Sequence, residues 1–405
     1  MIKTLLRSHL PRISRDAKIL IGLNSIAMML TNLRNIYVPI FLHVMGLSPA
    51  EIGIYLTILT FTSIGKEVGF AVLSDWFGRK KLLLTDISMS SLFYLILITS
   101  KDLRLIYLSA VFAYGGVRSP ILNALLSDTA TDSERTQLFT MKLFFSSLFT
   151  ILAPILSGLP ALAQIYGGVD ELSSFNILFW IGLAMTVLCM AMAPMVKERR
   201  GKARKRVTSI SKEQMALILK LATTNSLDIM AVGITLNLFS LWLALRYNVG
   251  IGVVSIIFTF AQIAETFAYL PAPFIASRIG NVKGTVIIRA VGFILIAALA
   301  FCPTPTIAAV VYAARNAVQR MSHPLRESYI MAVLDPDVRA SGSAFIEIPR
   351  IPASSVGPLI GGYLLEISTA LNPLTSGAIF GLGDILYWMF FRDVKPPEER
   401  HRQPT

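Results

Sequence analysis

Ionisable side chains recur inside long apolar runs of this 405-residue chain, among them Arg34, Lys66, Glu67, Arg118, Asp228, Glu265, Arg315, Arg320, His323, Glu347, Arg350 and Asp384. A charge at mid-bilayer costs about 3 kcal/mol on insertion scales, so such groups face a bundle interior or a cavity and mark binding, proton-carrying or ion-pairing positions. Helical phase sorts them. Within 251–276, Ser255, Thr259, Gln262, Thr266 and Tyr269 recur at i, i+4, i+7, i+11 and i+14, with Glu265 one turn from Gln262 and from Tyr269. That is one polar stripe with a carboxylate beside it. Asn24, Thr31 and Asn35 share an arc, with Asn32 and Arg34 at its edges. Asn316, Arg320, His323 and Glu327 form one line, and Arg315, Gln319, Ser322 and Arg326 the next, while Glu347, Arg350 and Ser354 at i, i+3 and i+7 make either a cavity face or a local ion pair. Asp384 is expected to belong to a structural pair.

Composition fixes the setting of these groups. Hydrophobic residues make up 54% of the chain and charged residues 15%, with a mean hydropathy of +0.64; soluble domains carry about 25% charged residues. Apolar stretches near 19–42, 52–74, 81–100, 104–127, 138–163 and 175–195, then 221–244, 251–276, 284–302, 306–330, 341–365 and 374–392, are each long enough to cross a hydrocarbon core of about 30 Å as a helix. The expected fold is an all-α integral membrane protein of twelve spans. Short alternating strands of the kind a transmembrane barrel needs do not occur.

The net charge of +13 is distributed unevenly. With the N-terminus inside, the loops of the opposite side hold only Lys101, Arg104 and Arg246, so both termini are expected in the cytoplasm of a cell bounded by this membrane. The densest run, KERRGKARKR at 197–206, joins spans 6 and 7 and reads as an orientation determinant near anionic headgroups. It contains no aromatic residue, so a nucleic-acid partner is not expected. The N-terminal MIKTLLRSHLPRISRDAK lacks an apolar signal-peptide core, and the first span is expected to act as its own insertion signal. Cys189 and Cys302 lie in or at the end of apolar stretches and read as packing residues.

The basic loop separates six spans from six, and the halves repeat. LNSI at 23–26 recurs as TNSL at 224–227, and LSDWFG at 73–78 as IASRIG at 275–280. Pro120 with Pro324, Arg135 with Arg339, Pro154 with Pro358 and Gly158 with Gly362 match at a slightly larger offset. In the register of LSDWFG and IASRIG, Gln262, Glu265 and Tyr269 map onto Thr60, Ser63 and Glu67, while Lys66 falls off that line. Parallel repeats of this kind build alternating-access transporters with a site at the repeat interface. The expected divisions are bundles at 1–195 and 221–393, a linker at 196–220 and a tail at 394–405.

AVLSDWFGRKK at 71–81 resembles the loop between helices 2 and 3 of the major facilitator superfamily, whose pattern is G-x-L-A-D-R-x-G-R-K-K. Asp75, Gly78, Arg79, Lys80 and Lys81 match, while Ala71 and Trp76 depart from it. GGVRSPILNALLSD at 115–128 is similar to the family's fourth helix, and PLRESYIMAVLDPDVRASG at 324–342 to its tenth helix and following loop. The resemblance implies that Asp75 sits against the start of helix 11, and that Arg79 pairs with Asp128. These contacts would latch the outward-facing state. The second half has Ser277 and Asn281 where the acid and arginine would stand, which implies a one-sided latch. The glycine-rich fifth-helix motif of drug and proton antiporters is reduced here to APILSG at 153–158, with Phe149 at a further glycine position; the cleaner GPLIGG lies at 357–362.

No phosphate-binding G-x-x-x-x-G-K-[ST] and no H-E-x-x-H occur, so direct drive by ATP, a resident cofactor or metal, and an enzymatic role are not expected. The reading is a monomeric secondary transporter in the cytoplasmic membrane, moving a small solute through a cavity of Asn24, Arg34, Asn35, Glu67, Arg118, Gln262, Glu265, Tyr269, Arg320, His323, Glu347 and Arg350. Asp75, Gly78, Arg79 and Asp128 form its gate. The intramembrane arginines favour an anionic solute, and Glu265 or Glu67 is the candidate proton carrier. A proton-coupled multidrug exporter and a non-transporting sensor on the same fold are the alternatives.

Overall fold

In the computed structural model, residues 14–113, 120–129, 135–197, 211–268, 281–334 and 345–394 are described, together with Arg278 and Gly342. They are helical throughout, with no strand among the described residues. The principal helices are α1 (Arg15–Val44), α2 (Pro49–Phe77), α3 (Arg79–Thr99), α4 (Leu103–Phe112), α5 (Pro120–Ser127), α6 (Arg135–Ser157), α7 (Leu159–Gly167), α8 (Glu171–Ser174) and α9 (Asn176–Met192). Then follow α10 (Lys212–Thr235), α11 (Phe239–Tyr247), α12 (Ile251–Phe267), α13 (Asn281–Ala298), α14 (Pro305–Val333), α15 (Arg350–Ile367) and α16 (Leu371–Phe391). Each expected span meets a helix, and seven helical segments among the described residues are long and apolar enough to cross a bilayer. Leu143, Phe144, Ile256, Phe260, Val310, Ile385 and Met389 are exposed on these helices, as suits a surface solvated by lipid.

Three spans depart from the sequence reading in informative ways. The seventh, expected to run unbroken over 221–244, turns into a 3₁₀ segment at Leu236–Leu238 between α10 and α11. The Ile234 carbonyl released there accepts from Asn372 Nδ2 at 2.7 Å, and Thr235 Oγ1 donates to the Asn372 carbonyl at 3.2 Å. A break at membrane depth is tolerable because a neighbouring helix satisfies the freed backbone. The fifth span breaks between Ser157 and Leu159, where Pro154 and Pro160 remove two backbone donors. The eleventh is interrupted: Gly342 and residues 345–347 are helical, a turn follows at Ile348 and Pro349, and the helix resumes at Arg350 with Pro349 at its N-cap and Pro352 in its first turn, where proline costs no hydrogen bond.

The chain divides into two compact units, one of residues 1–37 and 62–203, the other of 38–61 and 204–405. In the first, the Tyr94 ring of α3 occupies the space a side chain at Gly182 of α9 would need, and Asn24 Nδ2 ties α1 to α6 by donating to Ser146 Oγ at 2.6 Å. In the second, Gly233 of α10 meets Gly357 of α15 backbone to backbone, Gly361 packs on the Ile234 carbonyl, and Ser376 Oγ of α16 donates to the Ala231 carbonyl at 2.7 Å. Small residues are what let membrane helices approach closely. Ile218, Leu221, Tyr329, Leu334, Tyr387 and Phe391 form a buried core at one end of this unit.

Candidate functional site

In the first unit the charged groups converge on α1, α2 and α3. Arg34 and Asp86 are both 6% exposed. Lys66 interacts electrostatically with both, and its ammonium donates to the Ala113 carbonyl. Lys66, off the polar line in the sequence, thus joins a buried group, while Glu67 beside it is half-buried. Asn24 is buried on Ser146, whereas Asn35 is exposed. Lys142 of α6, also buried, donates to Asn123 Oδ1 at 2.6 Å. Arg118 and Tyr269 lie outside the described residues, as does the side chain of Asp75.

In the second unit the two polar lines of α14 have different neighbours. From the first line, Arg320 forms an ion pair with Glu265 of α12. Gln262 is half-buried nearby on α12 and His323 is exposed. The hydroxyls of Thr259 and Thr266 donate to carbonyls of their own helix, so part of the α12 stripe is internally satisfied. Tyr312, one turn from Arg315, stacks on Phe239 with centroids 3.8 Å apart.

The second line faces α10, α13 and α16. There Arg289, 1% exposed, pairs with Asp228 and stands 2.6 Å from Asp384, and Arg326 reaches Asp228 at 3.7 Å. The Arg289 guanidinium lies over the rings of Phe380 and Tyr387. Sequence reasoning singled out Asp228 and Asp384 but missed Arg289, as it missed Asp86 and Lys142. All three are charges within apolar runs; Arg289 interrupts VIIRAVGF, which is the signal that finds it.

At the end of α2, Gly78 takes φ +91° and starts α3, so the glycine of the loop motif makes a turn that a side chain would strain. Arg79 Nη1 then donates to Asp128 Oδ2 at 2.6 Å, and Lys80 donates to the Pro194 carbonyl and, at 3.1 Å, to that of Val196. Glu347 and Arg350 form a local pair at 2.6 Å with Glu347 half-exposed. At the other end of α2, within the second unit, Gly53 crosses Gly362 of α15, and the Glu366 carboxylate accepts from the Ala50 amide at 3.1 Å.

The model of the Major Facilitator Superfamily matches residues 19–227 and again 221–405, one match for each repeat. The chain belongs to the major facilitator superfamily. It is a multi-pass membrane protein with a transporter fold. The structure is similar to that of a bacterial homolog of the human lysosomal transporter Spinster in an inward-facing, occupied conformation, with a TM-score of 0.76 at 12% identity, covering 96% of this chain and 98% of that one. It is also similar to the nucleoside transporter NupG, with a TM-score of 0.70 at 17% identity over 94% and 99% of the two chains. An auto-inhibited POT family peptide transporter gives 0.73 at 10% identity over 97% and 99%. No curated sequence matches the chain.

Proposed function

We propose that this chain is a secondary active transporter of the cytoplasmic membrane that carries a small anionic solute by alternating access, its two six-helix bundles rocking about a central cavity. The observation that carries the reading is the Glu265–Arg320 pair between α12 and α14. It puts a carboxylate near the end of α12, 13% exposed, against a guanidinium near the middle of α14, 39% exposed. Family membership over residues 19–405 supports the same reading. Glu265 serves as proton carrier or solute ligand, with Arg34, Glu67, Gln262, Arg320 and His323 as further cavity groups. Asp75, Gly78, Arg79 and Asp128 form the gate on the side of the termini. The protein works as a monomer with both termini in the cytoplasm.

Purified protein in proteoliposomes, loaded with a panel of labelled organic anions, nucleosides and peptides, tests this reading. Saturable, counterflow-competent uptake of at least one anion supports it. A protein that binds a solute without moving it would instead be a sensor, and export of hydrophobic cations against a pH gradient would favour the multidrug exporter.

A further inference from the structure

Arg315 of α14 is 3% exposed. Its Nη1 donates to Asn316 Oδ1 at 3.2 Å, and its guanidinium lies 5.7 Å from the centroid of the Phe380 ring. Its other edge, Nε and Nη2, has no hydrogen-bond partner among the described residues. One turn on, Gln319 Oε1 is buried and equally unpartnered, facing Gly292 of α13. An arginine cannot shed its proton in a protein, and a buried charge without a counter-charge is strongly unfavourable.

The paired carboxylates of this unit, among the described residues, are engaged elsewhere. Asp228 holds Arg289 and Arg326, Asp384 holds Arg289, Glu265 holds Arg320 and Glu347 holds Arg350. Glu327, on the same helix as Arg315, is twelve residues away, about 18 Å along the axis. Glu366 is bound to the start of α2. Among the described residues no carboxylate pairs with Arg315, and the two-pronged edge of its guanidinium is open.

We propose that Arg315 is an anion-docking residue: its Nε–Nη2 edge takes a carboxylate, a phosphate or a small inorganic anion near the middle of α14. The pairing is the bidentate one for which guanidinium geometry is suited. This deepens the proposed transport of an anionic solute by naming the group that holds its charge, or that of an accompanying ion.

The test is thermal unfolding of the purified full chain in a low-salt zwitterionic buffer, titrated separately with sodium chloride, phosphate, acetate and citrate. Wild type should gain about 2 °C or more, saturably, with at least one of these anions, and Arg315→Gln should lose that response. Arg315→Lys should keep a weakened one. Without added anion, Arg315→Gln should be at least as stable as wild type, since it removes a buried charge with no direct ion pair among the described residues; Arg289→Gln, which strands two aspartates, should not. Identical anion responses in wild type and Arg315→Gln would overturn the proposal. So would an Arg315→Gln protein that fails to fold or is destabilised as Arg289→Gln is. Uptake of labelled chloride by proteoliposomes assigns the site to an inorganic ion, and uptake of labelled acetate or citrate assigns it to the solute. Anion-dependent stability without flux of any solute sinks the transport reading and leaves the site standing; flux without anion-dependent stability does the reverse.

Discussion

Arg289 Nε stands 2.6 Å from a carboxylate oxygen of Asp384, and the same guanidinium holds Asp228, so one side chain of α13 ties α16 to α10. Its 1% exposure makes the arrangement dependent on the completeness of the pairing. Removing one member of a buried ion group leaves the others uncompensated and costs about 3–5 kcal/mol. Arg289→Gln should therefore lower the unfolding temperature sharply and cut the yield of monodisperse protein. Asp384→Asn leaves the Arg289–Asp228 pair intact and should cost less. Equal stability of wild type and Arg289→Gln, by fluorescence-detected size exclusion after heating, would remove this cluster from the stability of the fold.

Much of this architecture is legible in the sequence because hydrocarbon permits so few solutions. Long apolar runs must be helices, and the ordered matches between halves read out the repeat. The Arg79–Asp128 pair followed from the family motif and is present at 2.6 Å. What periodicity does not convey is which neighbour a polar line meets. Arg320 and Arg315 lie on adjacent lines of one helix, yet the first finds Glu265 and the second lies over Phe380. The Asn372 side chain that supports the break after Thr235 is equally silent in sequence, since it lies 138 residues from the carbonyl it satisfies. Asp86 and Arg289 are 203 residues apart, in step with the repeat, but opposite in charge. A search for matching residues passes over such a pair.

Orientation rests on the distribution of lysine and arginine. Single cysteines at 202 and near Gly168, in a background lacking Cys189 and Cys302, should behave oppositely toward an impermeant maleimide applied to intact cells. Gly168 ends α7 in the left-handed conformation, so the cysteine is better placed at Val169, which is exposed. Labelling at 169 and protection at 202 is the expected result. Strong labelling at 202 would reverse the topology.

The Arg79–Asp128 pair is about one-quarter exposed on each side, and pairs in that situation contribute at most about 1 kcal/mol to stability. Its proposed importance lies in state selection. Asp128→Asn and Asp75→Asn should leave unfolding temperatures within a few degrees of wild type, shift the population towards the inward-facing state and slow transport. Spin-label distances across the ends of α2 and α15 measure this, and identical distributions in wild type and both variants would rule out the latch.

At the opposite end of α2, a methyl group on Gly362 would lie 2.5 Å from the Pro49 carbonyl and 2.8 Å from Gly53 Cα. Both are backbone atoms and cannot step aside. Gly362→Ala should force α2 and α15 apart at this crossing and abolish or strongly slow transport, because one closed state becomes inaccessible. Gly69→Ala, on the same α2 but with no atom within 4 Å of the added carbon, is the control, and it should be neutral or stabilise the helix by about 1 kcal/mol. Equal transport rates for the two variants would show that the crossing does not open and close during the cycle.

Glu265 is the group on which mechanism turns, because its partner Arg320, 39% exposed, is the most exposed member of the interhelical pairs among the described residues of its unit. Glu265→Gln keeps the shape and removes the charge, leaving Arg320 beside an amide. If Glu265 carries the coupling proton, uphill uptake driven by a pH gradient should fail while solute exchange at equal pH survives. If it binds solute, both should weaken together and the half-saturating concentration should rise. Arg320→Gln separates the pair further: if Arg320 holds the solute, exchange at equal pH should weaken in this variant, and if the pair serves coupling alone, exchange should survive. Wild-type transport by Glu265→Gln from pH 5 to 8, at unchanged thermal stability, would leave Glu265 with neither role and move the coupling site to Glu67.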